Sequence, residues 1–526
     1  MLRIIIIFLI SNLFSQNVEN VFYDFSRHQG HTLKRGDLMW NEDWSSNGIF
    51  FDGTFSNFSS MYGPQIESNL FKSSLDSVEI DSIFTKSYFD YVQGDYFLDN
   101  LDLGINYIRM NRRIDLHAFK RRYAGLYNQY NNNSGLITPI QYTYIGRYSY
   151  KGVNDQLSVS LGNFNSDFGL FDTTNASFLD SRITSSNVKY NISYDNLDIK
   201  INYHNFLQRI DSFHSSSLNN GVVYLTRTKL SSSVSLINSK NFMYGSLITF
   251  DKRSLDIDNT KTYGWISFNV FLKNKKSRFY IGLNSYVNGQ KLIASGESNF
   301  KHNSFNSKFN AGRSSKPAHI SFTDTILFEQ KDHFWIENSF ILNKFKIGID
   351  FAFYKINRGN TYMGLPKNGF NNWMSFYVNH YFLNDLFLHI GYSLVDNSDY
   401  VSDGTKNRLK IKVGNNFRLF SNAMSVHYSI SLDGYLNRKN EYSLSPVEKF
   451  PFKTDQISEL EDIWIPYFHL KCVVKNVEIT YEMNNVLNII YDSLGKNYND
   501  DQIIFNQYYP SASRMASLSI KWSFLN

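Results

Sequence analysis

The chain has 526 residues, of which 17% are aromatic (45 Phe, 36 Tyr) yet only 42% hydrophobic, with a mean hydropathy of −0.35. A soluble protein of this size draws its core from Leu, Val and Ala, whereas Phe and Tyr diluted by Ser and Asn suit thin apolar surfaces on alternating strands, edged by aromatic girdles at two water interfaces. A formal charge of +6 from 53 basic and 47 acidic residues, without a basic block or nucleic-acid motif, gives no footing to a nucleic-acid partner.

Residues 1–15 read as a secretory signal peptide. Arg3 forms the basic n-region, Ile4 to Ile10 the apolar run, and small Ser15 the cleavage position. The run is short for a membrane-spanning helix of about 20 residues. Cys472 is the only cysteine, so no intrachain disulfide can form. An exported chain of this size must then be held by hydrogen bonding and packing, which a closed barrel supplies by pairing every strand on both sides. Residues 16–85 carry mixed charge and only short alternating pieces, with one strand expected near Ile49 to Phe58. They are expected to be a periplasmic extension or a small plug inside the barrel.

From residue 86 the pattern becomes a two-residue alternation in segments of about ten, the length a tilted membrane strand needs. Phe345, Ile347, Ile349, Phe351 and Phe353 share one face of their segment, against Lys346, Gly348, Asp350 and Ala352. Val477, Ile479, Tyr481 and Met483 oppose Glu478, Thr480 and Glu482 in the same way. Tight polar turns are expected at Asp99-Asn100, Asn154-Asp155, Asp195-Asn196, Ser239-Lys240, Asn274-Lys275, Asn343-Lys344, Asn384-Asp385, Ser421-Asn422 and Lys475-Asn476, with a further one near Ala311-Gly312. Between them lie longer stretches rich in Asn, Ser, Asp and Gly. Short turns alternating with long loops describe a two-sided object, and the expectation is a transmembrane antiparallel β-barrel over 86–526, of about 20 strands (18–22), with short periplasmic turns and long extracellular loops.

Catalytic chemistry finds no support. The twelve His are scattered, with no HExxH and no GxSxG nucleophile elbow. No CxxC or P-loop occurs, and the acidic loop Asn497 to Gln502 lacks EF-hand spacing. No catalytic, cofactor-binding or metal site is therefore assigned, and no cofactor is expected. The side chains expected to line the pore are Lys346, Asp350, His389, His427, Asp433, Glu478, Glu482 and Lys521. Both signs are present, so they imply no strong preference for anions or cations. In the closing segment, Leu518, Ile520, Trp522 and Phe524 are expected to face lipid, with Ser517, Ser519, Lys521 and Ser523 opposite.

Two regions resemble the porin family of Bacteroidota-type outer membranes. One is "YFDYVQGDYFLDNLDLGINYIRMNRR" (Tyr88 to Arg113) leading into "RRYAGLYNQYNNNSG"; the other is the ending "YYPSASRMASLSIKWSFLN", after "YEMNNVLN". That resemblance implies an outer-membrane channel for passive diffusion of small hydrophilic solutes, seated in outer-membrane lipid and assembled by the barrel-assembly machinery. The ending is also similar to TonB-dependent receptor barrels, through Asn485-Val486-Leu487-Asn488, Tyr509-Pro510 and Arg514. This second resemblance implies the alternative, a plugged, energy-coupled transporter or binding protein. A barrel enzyme acting on lipid or peptide is the third possibility. Nothing in the sequence fixes the oligomeric state.

Overall fold

The computed structural model describes residues 18–24, 29–34, 37–39 and 83–525, except 126–139, 170–176, 216–219, 238–241, 258, 287–288, 321–325, 359–367, 383–384, 397–404, 440–441, 445–450, 454–458, 487–492 and 495–513. The signal peptide and the strand expected near Ile49 to Phe58 lie outside the described residues. Within 16–85, Val18–Asp24, Gln29–Lys34 and Asp37–Met39 pair in that order as a small antiparallel sheet.

Apart from a two-stranded sheet of Tyr442–Leu444 and Pro451–Lys453, the rest of the described strands form one closed antiparallel barrel of 22 long strands, from Ile83–Gly94 to Met515–Leu525. Those two strands close it, with Lys521 opposite Asp90 and Ile520 opposite Tyr91. Closure leaves no unpaired edge, which replaces the disulfides the chain cannot form. At the end where the barrel strands begin and finish, every connection is two to five residues long. At the other end the connections include 123–139, 440–462 and 485–514.

Two expected turns are corrected. Asp99 and Asn100 lie inside the strand Leu98–Arg109, and the hairpin turns instead at 95–97. There Tyr96 and Phe97 take positive φ, and the Asp95 carboxylate accepts the Ala516 backbone N–H at 2.9 Å. Asn100 is not a turn residue but a buried side chain on the inner face. Ala311 and Gly312 lie inside Phe305–Ile320; the turn is Asn303-Ser304, with Asn303 at φ 48°. Gly312 is small because the neighbouring strand passes close: a Cβ there would meet the Ala294 carbonyl oxygen at 2.6 Å. At the long-connection end, 257–259 and 287–288 are tight where long loops were expected.

The alternation sorts the two faces. In Asn368–Phe382, Trp373, Ser375 and Tyr377 are buried and inward, while Met374 and Phe376 are exposed and outward. Strand height is uneven. Phe178–Tyr194, Leu197–Phe213 and Gly221–Ile237 run 17 residues each, whereas Val477–Asn484 has 8. With about ten residues needed to cross the membrane, the tall wall projects roughly 15 Å beyond it.

Several glycines lie directly across from an aromatic ring that crowds them: Gly104 from Tyr88, Gly296 from Phe279, Gly348 from Tyr377, Gly414 from Phe387 and Gly434 from Trp464. A Cβ on any of them would stand within 3.0 Å of the ring. Each ring fills the space a side chain at its glycine would take, the rescue that strand glycines need.

Candidate functional site: the inward face of the wall

Sequence spacing puts opposite charges two residues apart on several strands, and that spacing places both on one face. Arg113 donates to Asp115 at 2.7 Å, and Lys200 pairs with Asp198 at 2.7 Å, both on the inner face. Deeper in the wall, Asp251 sits between Arg227 at 2.9 Å and Arg253 at 3.3 Å, all three buried, with Arg253 stacked over Trp265 at 4.4 Å. Sequence reasoning missed these groups. Their signal is the Arg-x-Asp or Asp-x-Arg triplet, legible in "RID" at 113–115 and "DKR" at 251–253.

The inner face divides into two halves. From Asp155–Gly169 to Phe305–Ile320 it is rich in Ser and Asn, joined laterally around the Lys200–Asp198 pair and the Arg227–Asp251–Arg253 group. Asn187 donates to Asn202 at 2.9 Å, Gln208 to Ser181 at 2.9 Å and Asn310 to Ser295 at 3.2 Å. From Phe345–Arg358 round through the seam to Arg112–Arg122 it carries ionisable groups. All eight candidate pore residues fall in this second half. Lys346 stands over the Tyr377 ring at 5.7 Å, and buried Asp350 accepts the Asn338 backbone N–H at 3.2 Å. His389 meets Asn379, and His427 meets Asn416. Asp433 pairs with Lys410 at 3.3 Å, Glu478 with Lys471 at 2.6 Å, Glu482 with His469 at 3.8 Å and Lys521 with Asp90 at 4.0 Å.

Register, not sequence distance, brings several of these together. The His427 and His469 rings are 5.4 Å apart, and Phe387 stacks on His427 at 6.0 Å. At the seam, Tyr88 donates to Asp102 at 3.2 Å and lies 3.2 Å from His117 Nδ1, which is itself 3.2 Å from Asp102. Lys346 and Asp350 stand apart from the histidine group, on the strand Phe345–Arg358. No group of three or more His, Cys, Asp or Glu is arranged to hold a metal ion among the described residues.

Nearer the long-connection end the inner face turns apolar. Phe206, Val223, Leu225 and Leu255 form one cluster; Trp335, Ala352, Tyr354, Trp373 and Val395 form another. Trp373, Phe206 and Leu255 are each 1% exposed and Ile356 is 0% exposed, although all point inward. On the outer face of the closing strand, Leu518, Ile520, Trp522 and Phe524 are exposed.

No family model matches the sequence, nor does the sequence of any curated protein. Solved structures do match the fold. The siderophore receptor PirA from Acinetobacter baumannii superposes with a TM-score of 0.63 at 8% identity, over 85% of this chain and 81% of that one. FpvA of P. aeruginosa, bound to a heterologous pyoverdine with iron, gives 0.62 at 10% identity over 97% and 82%. The FrpB iron transporter from Neisseria meningitidis gives 0.59 at 10% identity over 85% and 82%. The fold is that of an outer-membrane barrel. PirA is a siderophore receptor and FrpB an iron transporter.

Proposed function

We propose that this chain is an outer-membrane transporter of the receptor kind, whose bore is closed at rest and admits a selected solute, in place of the open diffusion channel that the porin resemblance implies. Strand number carries the proposal. Barrels of 16–18 strands leave an aqueous channel, whereas 22-stranded outer-membrane transporters hold a filled bore, and this barrel has 22. The shielding of inward side chains supports it. Neighbours on a wall leave the tips of large side chains wet if the bore is open, and Trp373 and Ile356 are almost entirely shielded. The likeness to PirA and FrpB, a siderophore receptor and an iron transporter, agrees with uptake.

In this reading residues 16–85 belong to what closes the bore, and residues 1–15 direct export. The Ser and Asn half of the wall favours the second reading, a channel for small hydrophilic solutes. Conductance of the full-length protein in planar bilayers separates them. The transporter stays silent and conducts only after deletion of residues 16–85. A large, steady conductance from the intact chain would return the diffusion channel.

A further inference from the structure

The strand Thr405–Leu419 begins "TKNRLKIKV". Lys406, Arg408, Lys410 and Lys412 occupy successive inward positions, alternating with Asn407, Leu409, Ile411 and Val413, and Val413 is exposed on the outer face. Across the ladder, Lys410 lies between Gly391 and Asp433, and Lys412 between His389 and Ser431. The Lys410 side chain remains 43% exposed even while paired with Asp433.

Among the described inward positions of Asn368–Phe382, Leu386–Asp396, Thr405–Leu419 and Met424–Lys439, Asp433 is the only carboxylate. It pairs with Lys410 at 3.3 Å, and Lys406, Arg408 and Lys412 share its face. On one side the next carboxylates, Glu478 and Glu482, are two strands further on and meet Lys471 and His469; on the other the next is Asp350, on the strand beside Asn368–Phe382. This stretch is therefore a basic column on a single strand. It starts near the long-connection end and descends about 20 Å, with successive cations about 7 Å apart.

We infer that this column is a binding track for a polyanionic small solute, one carrying several carboxylate or phosphate groups. A single anionic group reaches one or two of the cations, whereas a ligand with several groups engages the column at successive steps. A column of one sign also draws such a ligand inward from the long-connection end. The inference rests on the transporter reading only in taking this face as the path of the solute.

The test is calorimetric titration of the full-length protein in detergent with tripolyphosphate, and separately with spermine. Tripolyphosphate is expected to bind more tightly than spermine, and to weaken as salt rises. The triple variant Lys406→Gln, Lys410→Gln, Lys412→Gln is expected to lose at least tenfold in affinity, and Lys355→Gln on the outer face to lose none. Heat-modifiable migration on gels confirms that each variant still forms the barrel. Equal or tighter binding of spermine, no binding of tripolyphosphate, or an unchanged triple variant would overturn the inference. Bilayer conductance decides the transporter reading separately, so either can fail without the other.

Discussion

Two charge clusters of nearly the same composition sit on opposite faces of the tall wall. Inward, Arg227 lies directly across from Arg253, and Asp251 pairs diagonally with Arg227 at 2.9 Å. Outward, Arg182 lies directly across from Arg209 and Asp180 across from Asp211, and Arg209 reaches Asp180 diagonally at 3.4 Å. Both clusters grow from charges two residues apart on one strand, and both put like charges face to face and solve the conflict along the diagonal. What separates them is water. The Asp251 side chain is 1% exposed, while Arg182 is 60% exposed. The same pattern is therefore a tightly constrained interior group on one face and a loosely held surface network on the other.

The largest effect should come from breaking the interior cluster. Asp251→Leu leaves Arg227 and Arg253 side by side in a buried wall without their shared carboxylate. Removing one partner of a buried ionic group costs about 3–5 kcal/mol. Urea unfolding of the refolded barrel should show a clear loss of stability, and a midpoint within error of wild type would mean that water reaches the two arginines.

The faces themselves can be tested at the closing strand, where Ile520 is exposed outward and Ser519 is its inward neighbour. Ile520→Lys places a charge against lipid, a change that costs about 2–4 kcal/mol near the bilayer midplane. Ser519→Lys places the same charge against the bore beside the Lys521–Asp90 pair. Assembly into the membrane, followed by heat-modifiable migration, should fall sharply for the first and little for the second. The reverse result would turn the barrel inside out.

Much of this was legible in the sequence, and the reason is that alternation is local. Leu518, Ile520, Trp522 and Phe524 share a face whatever the rest of the chain does. Turns built on Asn, such as Asn343-Lys344, were legible too, since Asn tolerates the left-handed conformation that Asn343 adopts, although at Lys475-Asn476 it is Lys475 that takes it. Met110, at φ 51°, carries no such signal, and its hairpin with Asn111 was not foreseen. The pair Asp99-Asn100 gave a false signal because polar residues also fill the inner face of a strand. What no single segment could disclose is register. His427 meets His469, and Tyr88 meets His117, only once the strands between them are aligned. The basic column escaped for a different reason: over the whole chain the excess of basic residues is modest, and its concentration on one face appears only strand by strand.

The smallest effect should come from the outer cluster. Asp180 accepts from Arg182 at 2.8 Å and lies 3.4 Å from Arg209, so Asp180→Asn disturbs both contacts in one step. Counting contacts alone would rank this change with Asp251→Leu. The wall predicts otherwise, because solvent screens these charges and the freed arginines can hydrate where they stand. Exposed ion pairs contribute about 0.2–1 kcal/mol, less in salt. Urea midpoints of Asp180→Asn and wild type should differ slightly at low ionic strength and converge at high ionic strength, while the Asp251→Leu deficit persists. If raising salt erased both deficits alike, the two clusters would be equally wet, and the distinction between the two faces of the tall wall would collapse.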